Sequence, residues 1–353
     1  MSGDVLATDM PQDAWGEDFQ RTVPQRLVHK EAAHEVLLTD AVRVRPGLFY
    51  LAVRQPAGHG LYRPDAAGGS DPTLFVEMLR QTAIYLSHRF YGVPLEHPFV
   101  FCGLDFDLPV PGADDAEDES VVLEVRCRET RERSAKRAVM SLEAQLVSSG
   151  GVRATGSVSW QAVDRASYAA VRRRGAAGAL PPAPGTAVTA VHPGARVMAP
   201  ELVGRERSMD VVVAESGLPD ERAAAEEPGG TWLLHVDQSH PVFFDHPSDH
   251  VPGMLLLEAV RQASRAALGP APAPLYEWTM SGGGVQFAAY CELTAPTRLV
   301  VRQSGTPRTP DEVTLAVEAV QNGRTVASGS ARWQAAPAVA PVAVRAGVDE
   351  VFA

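Results

Sequence analysis

Three cysteines in 353 residues, Cys102, Cys127 and Cys291, are too few for a disulfide framework, and no CxxC spacing marks a zinc site. They fit a reducing compartment, so a cytoplasmic protein is expected. Basic charge is short as well: 32 Lys and Arg stand against 43 Asp and Glu, a net charge of −11 at pH 7. Nucleic acid would ask for a net basic face and is not expected as a partner. No apolar run approaches the ~20 residues of a membrane span, and the opening MSGDVLATDMPQDAWGED is acidic and polar, unlike a secretory leader. No GxGxxG precedes a helix, no Walker motif occurs and no GxSxG elbow is present, which leaves a serine nucleophile without support. The histidines His29, His34, His59, His240, His246 and His250 match no HExxH-type spacing. No metal and no cofactor is expected.

What the chain does have is apolar mass, 45% of its residues, and length enough for two domains of ~100–200 residues each. One stretch stands out, HPVFFDHPSDHVPGMLLLEAVRQA (His240 to Ala263). From Pro252 on it predicts a helix that is apolar nearly all round, hence buried, yet it carries Glu258 and Arg261 one turn apart. Buried charges are costly unless paired. A structural ion pair and a polar site cut into a core both fit these two residues. An internal repeat adds weight to the second reading: LFVEMLRQTA (Leu74 to Ala83) and LLLEAVRQAS (Leu255 to Ser264) place Glu77, Arg80 and Gln81 opposite Glu258, Arg261 and Gln262, each 181 residues on.

The repeat extends over the chain. Val28, Lys30 and Glu35 match Val203, Arg205 and Asp210 at an offset of 175, each set leading into a first strand. FYLAVRQP (Phe49 to Pro56) matches WLLHVDQS (Trp232 to Ser239) as a second strand, and His59 stands opposite His240. A first helix is expected from about Pro72 to Tyr91, then three strands in each half. Those end at Trp160 and Trp333, with turns at Ser148–Gly151 and at Asn322-Gly323, the latter a strong hairpin signal. The expected organisation is an N-terminal arm (1–24), unit 1 (25–165), an Ala/Gly/Pro-rich linker (166–199), unit 2 (200–337) and a tail (338–353). Arg172, Arg173 and Arg174 in the linker read as solvated surface. Two strands, a buried helix, then antiparallel strands is the order of a hotdog fold. The fold class is therefore α+β, a double hotdog: two sheets, each wrapped round a central helix and joined edge to edge, which also protects the strand edges.

Two resemblances bear on function. The stretch HPVFFDHPSDHVPGMLLLEAVRQA resembles the active-site stretch of hotdog 3-hydroxyacyl-ACP dehydratases, with His246 and Glu258 at the positions of that family's catalytic pair and a loop two residues shorter. More closely, VHKEAAHEVLLTD, DPTLFVEMLRQTAIYLSHRFYGVP, VGRERSMDVVV and FDHPSDHVPGMLLLEAVRQA together resemble the A-factor synthase (AfsA-like) family of γ-butyrolactone and furan signal biosynthesis in actinomycetes. That resemblance implies transfer of a β-ketoacyl group from an acyl carrier protein or CoA thioester to dihydroxyacetone phosphate, giving an ester that closes to a phosphorylated butenolide.

Such a transfer needs a base for the attacking hydroxyl, donors for the oxyanion and a cation for the phosphate. Glu77 is expected as base, its proton affinity raised by burial, and Arg261 as the cation facing it across the interface. His246 and Glu258 are the rivals. Arg80, Gln81, Gln262 and the helix start at Gly253 are expected to bind substrate, the last through first-turn amides. Lys30 and Arg205 read as surface charges and weaker phosphate candidates. Asp65 stands where unit 2 has His246, so the two potential sites are expected to differ, with Glu258 and Arg80 forming a degenerate pair. Arg126, Arg128, Arg131, Arg133, Lys136 and Arg137 form either a carrier-protein patch or an ordinary solvated edge. The pseudo-dimer lies within one chain, and a homodimer is left open. A dehydratase or thioesterase on acyl-ACP, and an acyl-binding sensor, are the alternative functions.

Overall fold

A computed structural model describes residues 21–338 except 55, 57, 66–67, 110–120, 149–150, 176–193, 216–228, 274, 306–308 and 310. Most of the arm, tail and linker, and turn residues Ser149 and Gly150, lie outside the described residues. The first unit runs β1 (Leu38–Arg45), β2 (Leu48–Val53), α1 (Pro72–Arg89), β3 (Phe99–Asp107), β4 (Val122–Glu129), β5 (Arg137–Ser148) and β6 (Gly151–Val163). After α2 (Arg165–Gly175) and the short β7 (Arg196–Val197), the second repeats it as β8 (Val213–Glu215), β9 (Gly229–Leu234), α3 (Gly253–Leu268), β10 (Tyr276–Phe287), β11 (Thr297–Gln303), β12 (Glu312–Gln321) and β13 (Arg324–Pro337). No described helix is long and apolar enough to cross a membrane.

All thirteen strands of the described residues form one antiparallel sheet in the order β1-β2-β4-β5-β6-β3-β10-β13-β12-β11-β9-β8-β7. Apart from the extra edge strand β7, the order is palindromic about the β3–β10 pair, so a pseudo-dyad passes through it. This is the double hotdog expected, with one correction: four strands follow each helix, not three. The missed strands are β3 and β10, the two that join the units, in register from Gly282↔Asp107 to Gln286↔Gly103. Glycine is depleted in strands, and the Gly282-Gly283-Gly284 run hides β10 from a propensity reading. The run serves close approach: a Cβ at Gly284 would lie 2.6 Å from the Leu104 carbonyl oxygen.

Each helix packs into the concave face of its own unit. Along β5 the burial alternates almost strictly, the inner residues Ala138, Met140, Leu142, Ala144 and Leu146 all being buried. The repeated glycines let helix and sheet close up: a Cβ at Gly156 would meet Leu79 at 2.7 Å, and one at Gly329 would meet Val260 at 2.8 Å. The repeated tryptophans pin the helices, Trp160 donating to Ser87 Oγ at 3.1 Å and Trp333 to Ser264 Oγ at 3.0 Å. Asp71 caps α1 by accepting from the Thr73 amide at 2.8 Å, with Pro72 in the first turn. α3 begins after Pro252 with no side-chain cap.

The stretch read as linker opens with α2, and Arg172 is not solvated. Its side chain is 6% exposed, and its guanidinium pairs with Asp249 at 3.0 Å and Glu292 at 2.7 Å and lies over the Tyr290 ring. The end of the first unit is thereby fastened to loops of the second.

Candidate active site

The two repeated Glu-x-x-Arg-Gln sets become two buried quartets, each within its own unit. Glu77, 1% exposed on its side chain, receives Arg80 Nε at 2.7 Å and Nη2 at 2.9 Å, Gln81 Nε2 at 2.8 Å and Lys30 Nζ at 3.2 Å. Glu258, 0% exposed, receives Arg261 at 2.9 and 2.8 Å, Gln262 at 2.5 Å and Arg205 at 2.7 and 2.6 Å. Two expectations are corrected here. Arg261 serves Glu258 on its own helix and Arg80 serves Glu77, so the crossed pairs do not form; one turn of helix wins over the interface. Lys30 and Arg205 are not surface charges. Short 3-10 turns at Gln25–Leu27 and Pro200–Val203 fold each back under its helix, and their side chains are only 4% and 5% exposed. Their retention at one offset in both halves was the sequence signal for this.

Gln81 and Gln262 hold the entering chain. Each takes a backbone amide (Leu37, Val212) on its oxygen, and its nitrogen donates to a backbone carbonyl (Glu35, Asp210) and to the helix glutamate. His59 and His240 play matching parts, each ring accepting two loop amides on Nδ1 and donating from Nε2 to Glu35 or Asp210. Because both units keep them, these are common scaffolding.

The quartets differ at their rims. In unit 2, Arg205 also reaches across the dyad to Asp71 Oδ2 at 2.6 Å and to the Leu61 carbonyl at 2.7 Å. The four charges Asp71, Arg205, Glu258 and Arg261 thus close on one another. The position matching Asp71 is Pro252, and Glu77 is the one described ion-pair partner of Lys30; Asp245, from the other unit, acts on Arg80 without a described ion pair to it. Asp65 and His246 complete the contrast. Asp65 is engaged by the Gly69 amide at 2.8 Å and by Thr279. His246, by contrast, keeps a side chain 48% exposed. The loop bearing it is held to the first unit: Asp245 accepts the Glu31 and Ala32 amides at 2.7 and 2.9 Å, next to Lys30. His246 Nδ1 stands 3.6 Å from Asp245 Oδ2. His246 and Glu258, paired by the dehydratase resemblance, have different charged neighbours, Arg80, Lys30 and Asp245 for the first and Arg205 and Arg261 for the second.

The electrostatics overturn one further expectation. Burial alone would raise Glu77, but Arg80 and Lys30 outweigh it and hold the carboxyl at about 2. Glu258 is likewise held at about 2, burial being outweighed by Arg205 and Arg261. Both are carboxylates at neutral pH with little appetite for a proton. His246, with about half of its side chain covered, is shifted below its ordinary 6.5 by that partial burial, then by Arg80 and Lys30, against the pull of Asp245. It is an uncharged imidazole at pH 7 in a cationic setting, with one nitrogen turned to Asp245. The first site therefore brings together two cations, Arg80 and Lys30, and the imidazole of His246.

Comparison with known proteins agrees with this architecture. The family described as the A-factor biosynthesis hotdog domain matches residues 12–164 and again 186–337. The chain belongs to that family. A relative from Streptomyces virginiae, named 2-oxo-3-(phosphooxy)propyl 3-oxoalkanoate synthase, is 36% identical over 278 residues, covering 78% of this chain and 85% of its own. Relatives of the same name from Streptomyces coelicolor (33%, 78% and 80%) and Streptomyces griseus (30%, 92% and 95%) also match. Like those family members, the chain is an enzyme. Among solved structures, the dehydratase domain of RzxB from Pseudomonas fluorescens superposes with a TM-score of 0.43 at 14% identity, covering 84% of this chain and 98% of that one. The 12:0-ACP thioesterase from Umbellularia californica gives 0.43 at 10%, covering 82% and 94%.

Proposed function

We propose that the first site moves a β-ketoacyl group from a carrier-protein or CoA thioester to a hydroxyl of dihydroxyacetone phosphate. The observation that supports this reading is the inequality of the quartets. The second is closed by Asp71, whereas the first leaves Lys30 and Arg80 beside an exposed, uncharged His246. Arg80 and Lys30 hold the acceptor's phosphate, Arg80 offering a planar fork and Lys30 a point charge. Glu77 holds both cations in place and is not the base. His246 Nε2 takes the proton as the hydroxyl attacks the thioester carbonyl, with Asp245 supporting the imidazolium that forms. The Gly253 and Met254 amides at the start of α3 face the developing oxyanion. When the tetrahedral adduct collapses, the C–S bond breaks and His246 returns its proton to the departing thiolate. In the ester so formed, the carbon between the two acyl carbonyls adds to the dihydroxyacetone ketone, and loss of water gives the phosphorylated butenolide. The relatives named above, 2-oxo-3-(phosphooxy)propyl 3-oxoalkanoate synthases, support this substrate pair.

The test is product analysis by mass spectrometry after incubation with a β-ketoacyl thioester, with and without dihydroxyacetone phosphate. An ester or butenolide phosphate, formed only with the acceptor and stoichiometric with free thiol, is the expected result. Free acid would mean a thioesterase, no turnover an acyl-binding module, and enoyl thioester from a 3-hydroxyacyl thioester offered in a parallel incubation a dehydratase; each would sink the transferase reading.

A further inference from the structure

The loop position just before Lys30 carries a second inequality between the units. His29 adopts φ +53°, a left-handed conformation that L side chains with a Cβ rarely take. The matching residue of unit 2 is Gly204, with φ +66°. The local frames are the same, since Lys30 N bonds the Gln25 carbonyl at 3.0 Å and Arg205 N bonds the Pro200 carbonyl at 2.8 Å. Unit 1 thus keeps a glycine-type backbone and adds an imidazole to it. Strain of this kind persists where the surroundings hold it, and here His88 does so: the two Nε2 atoms are 3.0 Å apart. His88 Nδ1 lies 2.8 Å from the Val93 carbonyl, to which it must donate, so its Nε2 accepts and His29 Nε2–H donates. Phe99 lies edge-on to both rings at 5.2 Å. The residue matching His88 is Gly269, so the pair belongs to unit 1.

Unit 2 displays the consequence of lacking it. Arg261 turns one N–H onto the chain's own backbone, Nη2 to the Val203 carbonyl at 3.1 Å, and a Cβ built at Gly204 would sit 3.3 Å from Arg261 Nη1. In unit 1 a real Cβ and ring occupy that place. The described hydrogen bonds of Arg80 go to Glu77 alone, with none to Val28, the match of Val203. Arg80 is also the more open of the two, 16% exposed against 7%.

We propose that His29, seated by His88, is a positioning residue: a wedge that keeps the Arg80 guanidinium off the Val28 carbonyl and presents it to an anionic oxygen of the substrate. The wedge adds no charge of its own, because burial first, then His88, Arg80 and His246, holds His29 down at about 3. The proposal rests on reading the first site as the working one.

Three full-chain proteins test it: the parent, His29→Gly and His29→Asn, the last because Asn tolerates the left-handed region. His29→Gly is expected to melt at the parent temperature or above. Its crystal structure should show Arg80 bonded to the Val28 carbonyl, as Arg261 is to Val203. Calorimetric titration with inorganic phosphate and with dihydroxyacetone phosphate should weaken about tenfold, the worth of one charge-assisted hydrogen bond. The KM for the acceptor should rise more than kcat falls. An unchanged Arg80 and unchanged phosphate affinity in His29→Gly would overturn the wedge, as would a large drop in melting temperature in both variants, which would make the histidine structural. If the parent itself binds neither phosphate nor acceptor, the substrate reading fails while the Arg80 geometry in His29→Gly still decides the wedge.

Discussion

At neutral pH the imidazole of His246 is uncharged because burial, Arg80 and Lys30 all oppose its protonation. A base of that kind works above its pKa, so kcat/KM should fall as pH drops through a midpoint below the ordinary 6.5 of histidine. His246→Gln should abolish that limb and lower kcat by ~10²–10⁴, with an unaltered melting temperature. Arg80→Met removes one of the depressing charges, so the titration of His246 followed by NMR should move up in that variant; an unmoved midpoint would place His246 elsewhere. At this scale the sequence displayed which side chains matter more clearly than what each does. Glu77, Arg80, Glu258 and Arg261 announce themselves by repeating, but their protonation depends on Lys30 and Arg205, far off in sequence. The φ of His29 has no local residue signature, since histidine stands where glycine would be the expected choice.

One inter-unit contact at element level sets the two quartets apart. The cap of α1 doubles as the fourth charge of the second quartet, since Asp71 holds the Thr73 amide on one oxygen and Arg205 on the other. Arg205→Leu removes the shared partner of two buried carboxylates and should cost ~3–5 kcal/mol in denaturant unfolding, while the surviving folded fraction keeps its turnover. Lys30→Met should do the reverse, raising KM for the acceptor with a smaller loss of stability. Acid unfolding carries the same sign: Glu77 and Glu258 titrate at about 2 in the fold against an ordinary 4.5, so their contribution is complete above 4.5 and is lost as pH falls towards 2. Arg205→Leu should therefore unfold at a higher pH than the parent. Helices α1 and α3 and the β5–β6 and β12–β13 hairpins were readable from period and turn chemistry. The seam strand β10 was not, because its Gly282-Gly283-Gly284 run answers to neighbouring backbones rather than to strand preference.

Over the whole molecule, the net charge of −11 conceals a local excess of the other sign. Arg45, Arg126 and Arg128 line a groove of about 210 Å³ beside the β1–β2 turn, and Arg131, Arg133, Lys136 and Arg137 continue the basic run along the β4–β5 connection. Several are part-neutralised, Arg126 by Glu124 at 2.9 Å and Arg133 by Glu129 at 2.8 Å, and exposed pairs of that kind contribute little to stability. Carrier proteins are acidic. Charge reversal at Arg131 and Arg133 should lower kcat/KM for an acyl-carrier donor, increasingly so at low salt, and spare a small thioester mimic. Equal loss on both donors would remove the patch from consideration. The duplication itself was plain from offsets of 175 and 181, and with it the dyad. The inequality of the two quartets was not, since it turns on Asp71 meeting Arg205, residues 134 positions apart.

The β3–β10 seam also fixes the order of events at the ribosome. β3 ends at Asp107 and its neighbour begins at Tyr276. At roughly 5–20 residues per second, the first unit, complete at Val163, waits on the order of six to twenty seconds with the outer edge of β3 unpaired. During that interval its natural complement is the same strand on a neighbouring nascent chain. Duplication within one polypeptide shortens that exposure by supplying the complement in cis, and it leaves the interval between Val163 and Tyr276 as the stretch of synthesis in which this protein is most open to mispairing.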